Sequence, residues 1–128
     1  MSACSDEASE VKDQVVAKVV ATAQERITSE IEAAGGIETI VADSDLKAEV
    51  DEIKADLEEV KADLADALAA KAEERAAKIE RVIEKLDAII ARVEDAAARA
   101  PEGGESQTKL NNLAGRLLTI RTTLDTAL

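Results

Sequence analysis

Apolar residues recur at intervals of mainly three and four from Leu46 to Val93, and neither glycine nor proline interrupts that stretch. Alternating intervals of three and four form the heptad pattern, which places these side chains on one side of an α-helix. A half-buried strand would instead have an apolar residue at every second position. The chain is therefore expected to be all-α, with long antiparallel helices that bury aliphatic stripes in a coiled-coil-like helical bundle.

Two groups of helix-breaking residues divide the rest of the sequence. Gly35-Gly36 is expected to end a first helix, because glycine readily adopts the left-handed conformation found after helix C-termini. The Pro-Glu-Gly-Gly segment 101–104 is expected to end another, since proline cannot continue the hydrogen-bond ladder. The sequence thus predicts a flexible N-terminus, 1–5, and a single helical domain, 6–128, with helices at about 6–34, 44–99 and 106–127.

Short polar residues mark the expected starts of the second and third helices. Asp43 or Ser44 can cap the second helix, because a side-chain oxygen accepts a hydrogen bond from a free backbone N–H there. Ser106 is the expected cap of the third helix for the same reason. Residues 37–41 have the spacing of one short helical turn, which we expect to cover the end of the bundle.

The segment 44–99 has two alternative interpretations. Residues 69–77 have the highest helix propensity in the chain, which favours one continuous helix about 80 Å long. The other two helices would then fold back along its two halves, giving a three-helix rod. Alternatively, the segment bends near 69–72 and the chain forms a four-helix bundle with helices of similar length. The sequence leaves both arrangements open.

The apolar stripe on the second half of that segment is wider than one neighbouring helix can cover. We therefore expect a homo-oligomer, in the simplest case a dimer, in which a second copy covers the remainder of the stripe. The residues expected at this interface are Leu46, Ile53, Val60, Ile79, Ile83, Leu86, Ile90 and Leu117.

Histidine, phenylalanine, tryptophan and tyrosine are all absent, and Cys4 is the single cysteine. These residue types supply most general bases, soft metal ligands and base-stacking surfaces in proteins. Asp43-Ser44-Asp45 begins like a calcium loop, but Ala48 and Lys54 stand where its glycine and glutamate would be. We therefore expect no enzyme activity, no cofactor, no metal site and no nucleic-acid partner.

The formal net charge is −12, and the excess of acid lies in the first half of the chain. Residues 43–66 carry ten acids and three bases, whereas residues 71–99 carry seven of each sign. Such an acidic segment favours a basic protein partner, which is one alternative function for the region 43–66. The bases of the second half are interleaved with glutamates at helical spacing, which predicts salt bridges within one helix. These bases are Arg75, Lys78, Arg81, Lys85, Arg92 and Arg99.

The segment Ser2-Ala3-Cys4-Ser5 resembles the end of a bacterial lipoprotein signal, where small residues precede an acylated cysteine. The resemblance covers only these four residues, and Met1 stands where the hydrophobic part of such a signal would end. It implies lipidation of Cys4 and a place in the cell envelope, whereas the chain as it stands is expected in the cytoplasm. No apolar run approaches the roughly 20 residues of a membrane span.

The expected function is that of a non-catalytic structural or protein–protein interaction protein that self-associates. A lipid-anchored envelope protein acting as a spacer or stalk is the first alternative, with membrane contact only through Cys4. The acidic module for a basic protein partner is the second alternative.

Overall fold

The computed structural model describes the backbone of residues 2–128 and the side chains of residues 12–128. This part of the chain has no strand and forms four helices: α1 (Ser2–Ile40), α2 (Ser44–Ala69), α3 (Ala72–Arg99) and α4 (Glu105–Ala127). Both α1 and α3 pack against α2 and α4. The prediction of an all-α helical bundle is confirmed.

The first helix is longer than predicted, because α1 continues through Gly35-Gly36 to Ile40. Neither glycine has the positive φ that ends a helix. Ala34 and Ile37 flank the pair and are buried in the core, so their packing outweighs the cost of glycine within a helix, about 1 kcal/mol per residue. The turn expected at 37–41 is therefore the C-terminal end of α1, where the Val41 N–H donates to the Ile37 carbonyl at 3.2 Å.

The segment 44–99 is interrupted between α2 and α3. Ala70 and Lys71 are extended, with φ/ψ of −73°/158° and −68°/153°. The single helix of the continuous alternative is therefore not present in this structure. No glycine or proline lies near the interruption. Hydrogen bonds from Arg75, described below, stabilise the interrupted form.

The other two connections precede α2 and α4. Asp43 caps α2, as predicted, because its Oδ1 accepts from the backbone N–H groups of Asp45 (2.8 Å) and Leu46 (3.1 Å). The prediction for Ser106 is wrong, since α4 begins at Glu105 and Gly104 occupies the cap position. Here Gly103 reverses the chain with a φ of 73°, which a side chain would disfavour.

Aliphatic residues from all four helices form one core. The side chains that are essentially inaccessible to solvent are dominated by isoleucine and leucine, and the largest include Ile27, Ile37, Ile53, Leu57, Leu64, Ile79, Leu86, Leu110, Leu113, Leu117 and Leu124. Among the described residues, no helix is both long and apolar enough to cross a membrane.

Candidate interaction surfaces and the ion pairs beside them

The eight residues predicted at a dimer interface lie inside one chain. Each is buried by its own bundle: Leu46, Ile53, Val60, Ile79, Ile83, Leu86, Ile90 and Leu117. They belong to the continuous core that the four helices share. Self-association through these side chains therefore requires the helices of one chain to separate from each other.

The wide stripe on α3 is covered without a second chain, contrary to the reasoning that predicted a dimer. Because α3 packs against both α2 and α4, two helices of the same chain cover the two sides of the stripe. Ile79, Val82 and Ile89 are buried in this way. In a three-helix rod the second half of 44–99 would have one neighbour in the chain, whereas the turn at Ala70 and Lys71 provides two.

Ion pairs border the buried contact between α2 and α3, and we call this set the α2–α3 ion-pair ladder. Four bases of α3 meet six acids of α2 across the helix interface. The bases are Lys78, Lys85, Arg92 and Arg99, and the acids are Glu49, Glu52, Asp56, Glu59, Asp63 and Asp66. The bases are spaced by seven residues, as expected for one edge of a heptad seam in which charges set partner and orientation.

Lys85 and Arg92 form the best-connected part of the ladder. The Lys85 ammonium donates to Glu59 at 3.0 Å and to Asp63, and these hydrogen bonds raise the pKa of Lys85 above its ordinary value, Asp63 having the larger effect. Partial burial acts in the opposite direction and is outweighed. The Arg92 guanidinium donates to carboxylates on three successive turns of α2: Glu49 (3.2 Å), Glu52 and Asp56 (2.6 Å).

The prediction of salt bridges within α3 is wrong for most of its bases. Of the six, only Arg99 has a partner on its own helix in the described part of the chain, Asp95 at 3.1 Å. Lys78, Lys85 and Arg92 pair with α2 instead, because they lie beside the buried stripe and point along the helix interface. The seven-residue spacing of these bases is compatible with an interhelical ladder, but it does not by itself exclude pairing within one helix.

Arg75 explains why the chain turns after Ala69. Its guanidinium is almost fully buried and donates to three backbone carbonyls at the end of α2: Ala67 (3.0 Å), Leu68 (3.1 Å) and Ala70 (2.9 Å). Carbonyls at a helix C-terminus lack partners within the helix, and a cation there is also favoured by the helix dipole. The remaining Nη1 forms an ion pair with Asp13 of α1.

A second buried charge joins the first and last helices. Both carboxylate oxygens of Glu30 on α1 accept from Nε of Arg116 on α4 at 2.9 Å. Glu30 is nearly inaccessible, whereas the Arg116 side chain is about half exposed. The pair therefore has one desolvated partner and one partner in contact with solvent.

In the described part of the chain, three acids of α2 form no ion pair. Asp51 and Glu58 are exposed on the side of α2 that faces away from the ladder, whereas Asp45 is exposed on the ladder edge, one heptad before Glu52. The ladder engages most of the other acids in 43–66, so the acidic surface open to a basic partner is smaller than the sequence predicts.

The concave sites described by the structure are open grooves between helices, with volumes of about 140–310 Å³. The groove at the end of the bundle lies beside the Asp13–Arg75 pair and is lined partly by Val16 and Leu128. The exposed apolar side chains lie on different helices. Val15 on α1 and Leu118 on α4 are each 53% exposed.

Cys4 belongs to α1, but its side chain lies outside the described residues, so its lipidation stays a prediction. Comparison of this chain with protein-family models, with curated proteins and with solved structures gave no match.

Proposed function

We propose that this chain is a non-catalytic helical protein that acts through protein–protein contacts and that it self-associates. The observation that carries this proposal is the α2–α3 ion-pair ladder beside a heptad seam. This combination of an apolar seam with flanking charges determines which helices pair, and in which orientation, in coiled coils. The described acids and bases in the ladder and at Arg75 serve helix pairing, and the grooves beside them are shallow and open.

We further propose that the folded unit in solution is an antiparallel four-helix bundle with coiled-coil-like packing. Short connections between consecutive helices favour antiparallel neighbours. The ladder supports the same direction, because Lys85 contacts Glu59 while Arg92, further along α3, contacts Glu52, earlier along α2.

Distance measurement between two spin labels tests the bundle. Labels are placed at Ala48 and Glu94 after the Cys4→Ser exchange, since both positions are exposed and outside the ladder. In the bundle the labels sit on neighbouring helices, whose axes are about 8–10 Å apart, so a short distance is expected. A continuous helix would separate them by about 70 Å within one chain, and finding that distance in a monomer would overturn the bundle.

Sedimentation velocity from micromolar to near-millimolar concentration tests self-association. We expect a reversible dimer whose fraction rises with concentration. A single monomeric species over the whole range would contradict this part of the proposal. The matched control is Leu118→Ala, which changes an exposed side chain outside the seams and should leave the dimer fraction unchanged.

A further inference from the structure

The turn between α2 and α3 opposes the local preference of its own sequence. Ala70 and Lys71 are good helix formers, and no side chain caps the start of α3 at Lys71. In a continuous helix, the carbonyls of Ala67, Leu68 and Ala70 would accept from backbone N–H groups four positions on. In the turn, the guanidinium of Arg75 replaces those donors. One side chain therefore supplies hydrogen bonds that a straight helix would make by itself.

The α2–α3 ion-pair ladder is nearly symmetric about Ala72. Lys78 and Asp66 are each six residues from Ala72, Lys85 and Glu59 are each 13 residues away, and Arg92 and Glu52 are each 20 residues away. Two straight copies of the segment 44–99, arranged antiparallel about a two-fold axis near Ala72, would bring the same acids and bases together. Every such pair would then join two chains, and the apolar seam beside them would be retained.

From this symmetry we infer that the α2–α3 turn is a hinge, through which two copies of this chain exchange their α3–α4 hairpins. In the exchanged dimer 44–99 is one continuous helix, and α1–α2 of one copy packs against α3–α4 of the other. The interaction surface is therefore the buried core itself, and the partner is a second copy of the chain. The inference deepens the proposed self-association and rests on it. Such exchange is a low-cost route to dimers, since the helix contacts outside the turn are made again between chains.

Arg75 controls the balance between the two forms. Its hydrogen bonds to the α2 carbonyls exist only while the turn is closed, because those carbonyls accept backbone N–H groups in a continuous helix. Loss of the guanidinium therefore weakens the closed chain more than the exchanged dimer. Asp13 pairs with Arg75 but makes no contact with the α2 carbonyls, so its removal leaves the clamp on the turn in place.

Arg75→Met and Lys71→Pro test the hinge in opposite directions. Arg75→Met keeps the aliphatic stem and removes the donors, and the dimer dissociation constant is expected to fall at least about tenfold, which corresponds to 1.4 kcal/mol. Lys71→Pro fits the closed turn, because its φ of −68° suits proline and Ala70 before it is extended. The Lys71 N–H makes none of the backbone hydrogen bonds described around the turn.

Proline at position 71 disfavours a continuous helix, so Lys71→Pro and the double variant Arg75→Met/Lys71→Pro are expected to be monomeric. Asp13→Asn is the matched control for Arg75→Met and should change the dissociation constant less than threefold. Sedimentation velocity measures each constant. The spin labels at Ala48 and Glu94, in doubly labelled chains diluted with unlabelled chains, should report about 70 Å within each labelled chain of the dimer.

The outcomes separate the hinge from the proposed self-association. A dimer in which the two labels of one chain remain close would overturn the hinge and leave self-association standing. Unchanged dimerisation in Lys71→Pro would also overturn the hinge. A monomeric natural chain beside a dimeric, long-distance Arg75→Met variant would support the hinge and overturn self-association of the natural chain.

Discussion

At the scale of single residues, charged side chains of this chain connect helices to one another. Lys85 and Arg92 each contact carboxylates on successive turns of α2, and Arg75 contacts the end of that helix. An isolated surface ion pair contributes little stability, about 0–1 kcal/mol, because solvent screens it. One cation shared by two or three acids loses its side-chain freedom once for several contacts, so the ladder orients the helices more effectively than separate pairs would.

The pKa of Lys85 tests the ladder directly. Because the hydrogen bond to Asp63 contributes most to the raised pKa, Asp63→Asn should bring the pKa of Lys85 back toward its ordinary value of 10.5. The raised pKa in the folded state means that Lys85 stabilises the fold fully below pH 10.5, and that this contribution is lost as the pH rises through the folded value. NMR titration of the Lys85 side chain measures the shift. Asp51→Asn removes an acid outside the ladder, and an equal effect in both variants would contradict the assignment.

Residue patterns predicted the core better than they predicted the charges. The aliphatic positions of the heptad seam are buried as expected, because burial depends on a helix period that can be counted along the sequence. The partners of Lys85 and Arg92 were missed, since interleaved acids and bases satisfy the spacing within one helix and between two helices alike. The contact of Arg75 with the carbonyls of α2, which stabilises the turn at Ala70 and Lys71, has no local sequence signal.

At the scale of secondary-structure elements, tertiary packing decides where helices end. Gly35-Gly36 lies within α1 although glycine favours a helix end, while Ala70 and Lys71 separate two helices although both favour a continuous one. In the first case buried neighbours on both sides keep the helix going, and in the second a buried guanidinium stops it. By contrast, α3 ends at Arg99, just before Pro101, as the sequence predicts, because no packing can restore the N–H that proline lacks.

Replacing both glycines of α1 should stabilise the protein. An alanine Cβ at Gly35 or Gly36 would meet no atom within 4 Å, and neither φ is positive. Gly35→Ala/Gly36→Ala is therefore expected to raise the free energy of unfolding by about 1–2 kcal/mol, since alanine loses less backbone freedom in a helix. Urea unfolding followed by circular dichroism measures the change. Gly103→Ala is the opposite control, because its left-handed backbone should make alanine destabilising by about 1–2 kcal/mol.

At the scale of the whole molecule, the Glu30–Arg116 pair joins the N-terminal and C-terminal halves of the chain. It connects α1 with α4, whose contact completes the bundle, and its carboxylate is the more deeply buried partner. A buried acid that loses its partner remains desolvated and unpaired, which costs more than the pair contributes. Loss of Arg116 alone is therefore expected to cost more than loss of both partners.

Arg116→Met tests this asymmetry. The variant leaves Glu30 buried without its base, and the free energy of unfolding is expected to fall by about 1–3 kcal/mol. The double variant Glu30→Met/Arg116→Met removes the unpaired charge as well and should recover most of the loss. Urea unfolding of both variants provides the comparison. A double variant that is no more stable than Arg116→Met would show that desolvation of Glu30 is not the cause.

The seven-residue repeat of the α2–α3 ion-pair ladder limits the information that its charges can carry. If α3 shifted by one heptad along α2, its bases would meet other acids of α2. Lys78 would face Glu59, Lys85 would face Glu52 and Arg92 would face Asp45. Most bases would therefore still lie opposite an acid. Alignment must therefore come from the two-residue connection and from the guanidinium beside it, neither of which repeats. Two separate peptides carrying α2 and α3 should consequently associate in more than one alignment, a degeneracy that the covalent turn removes.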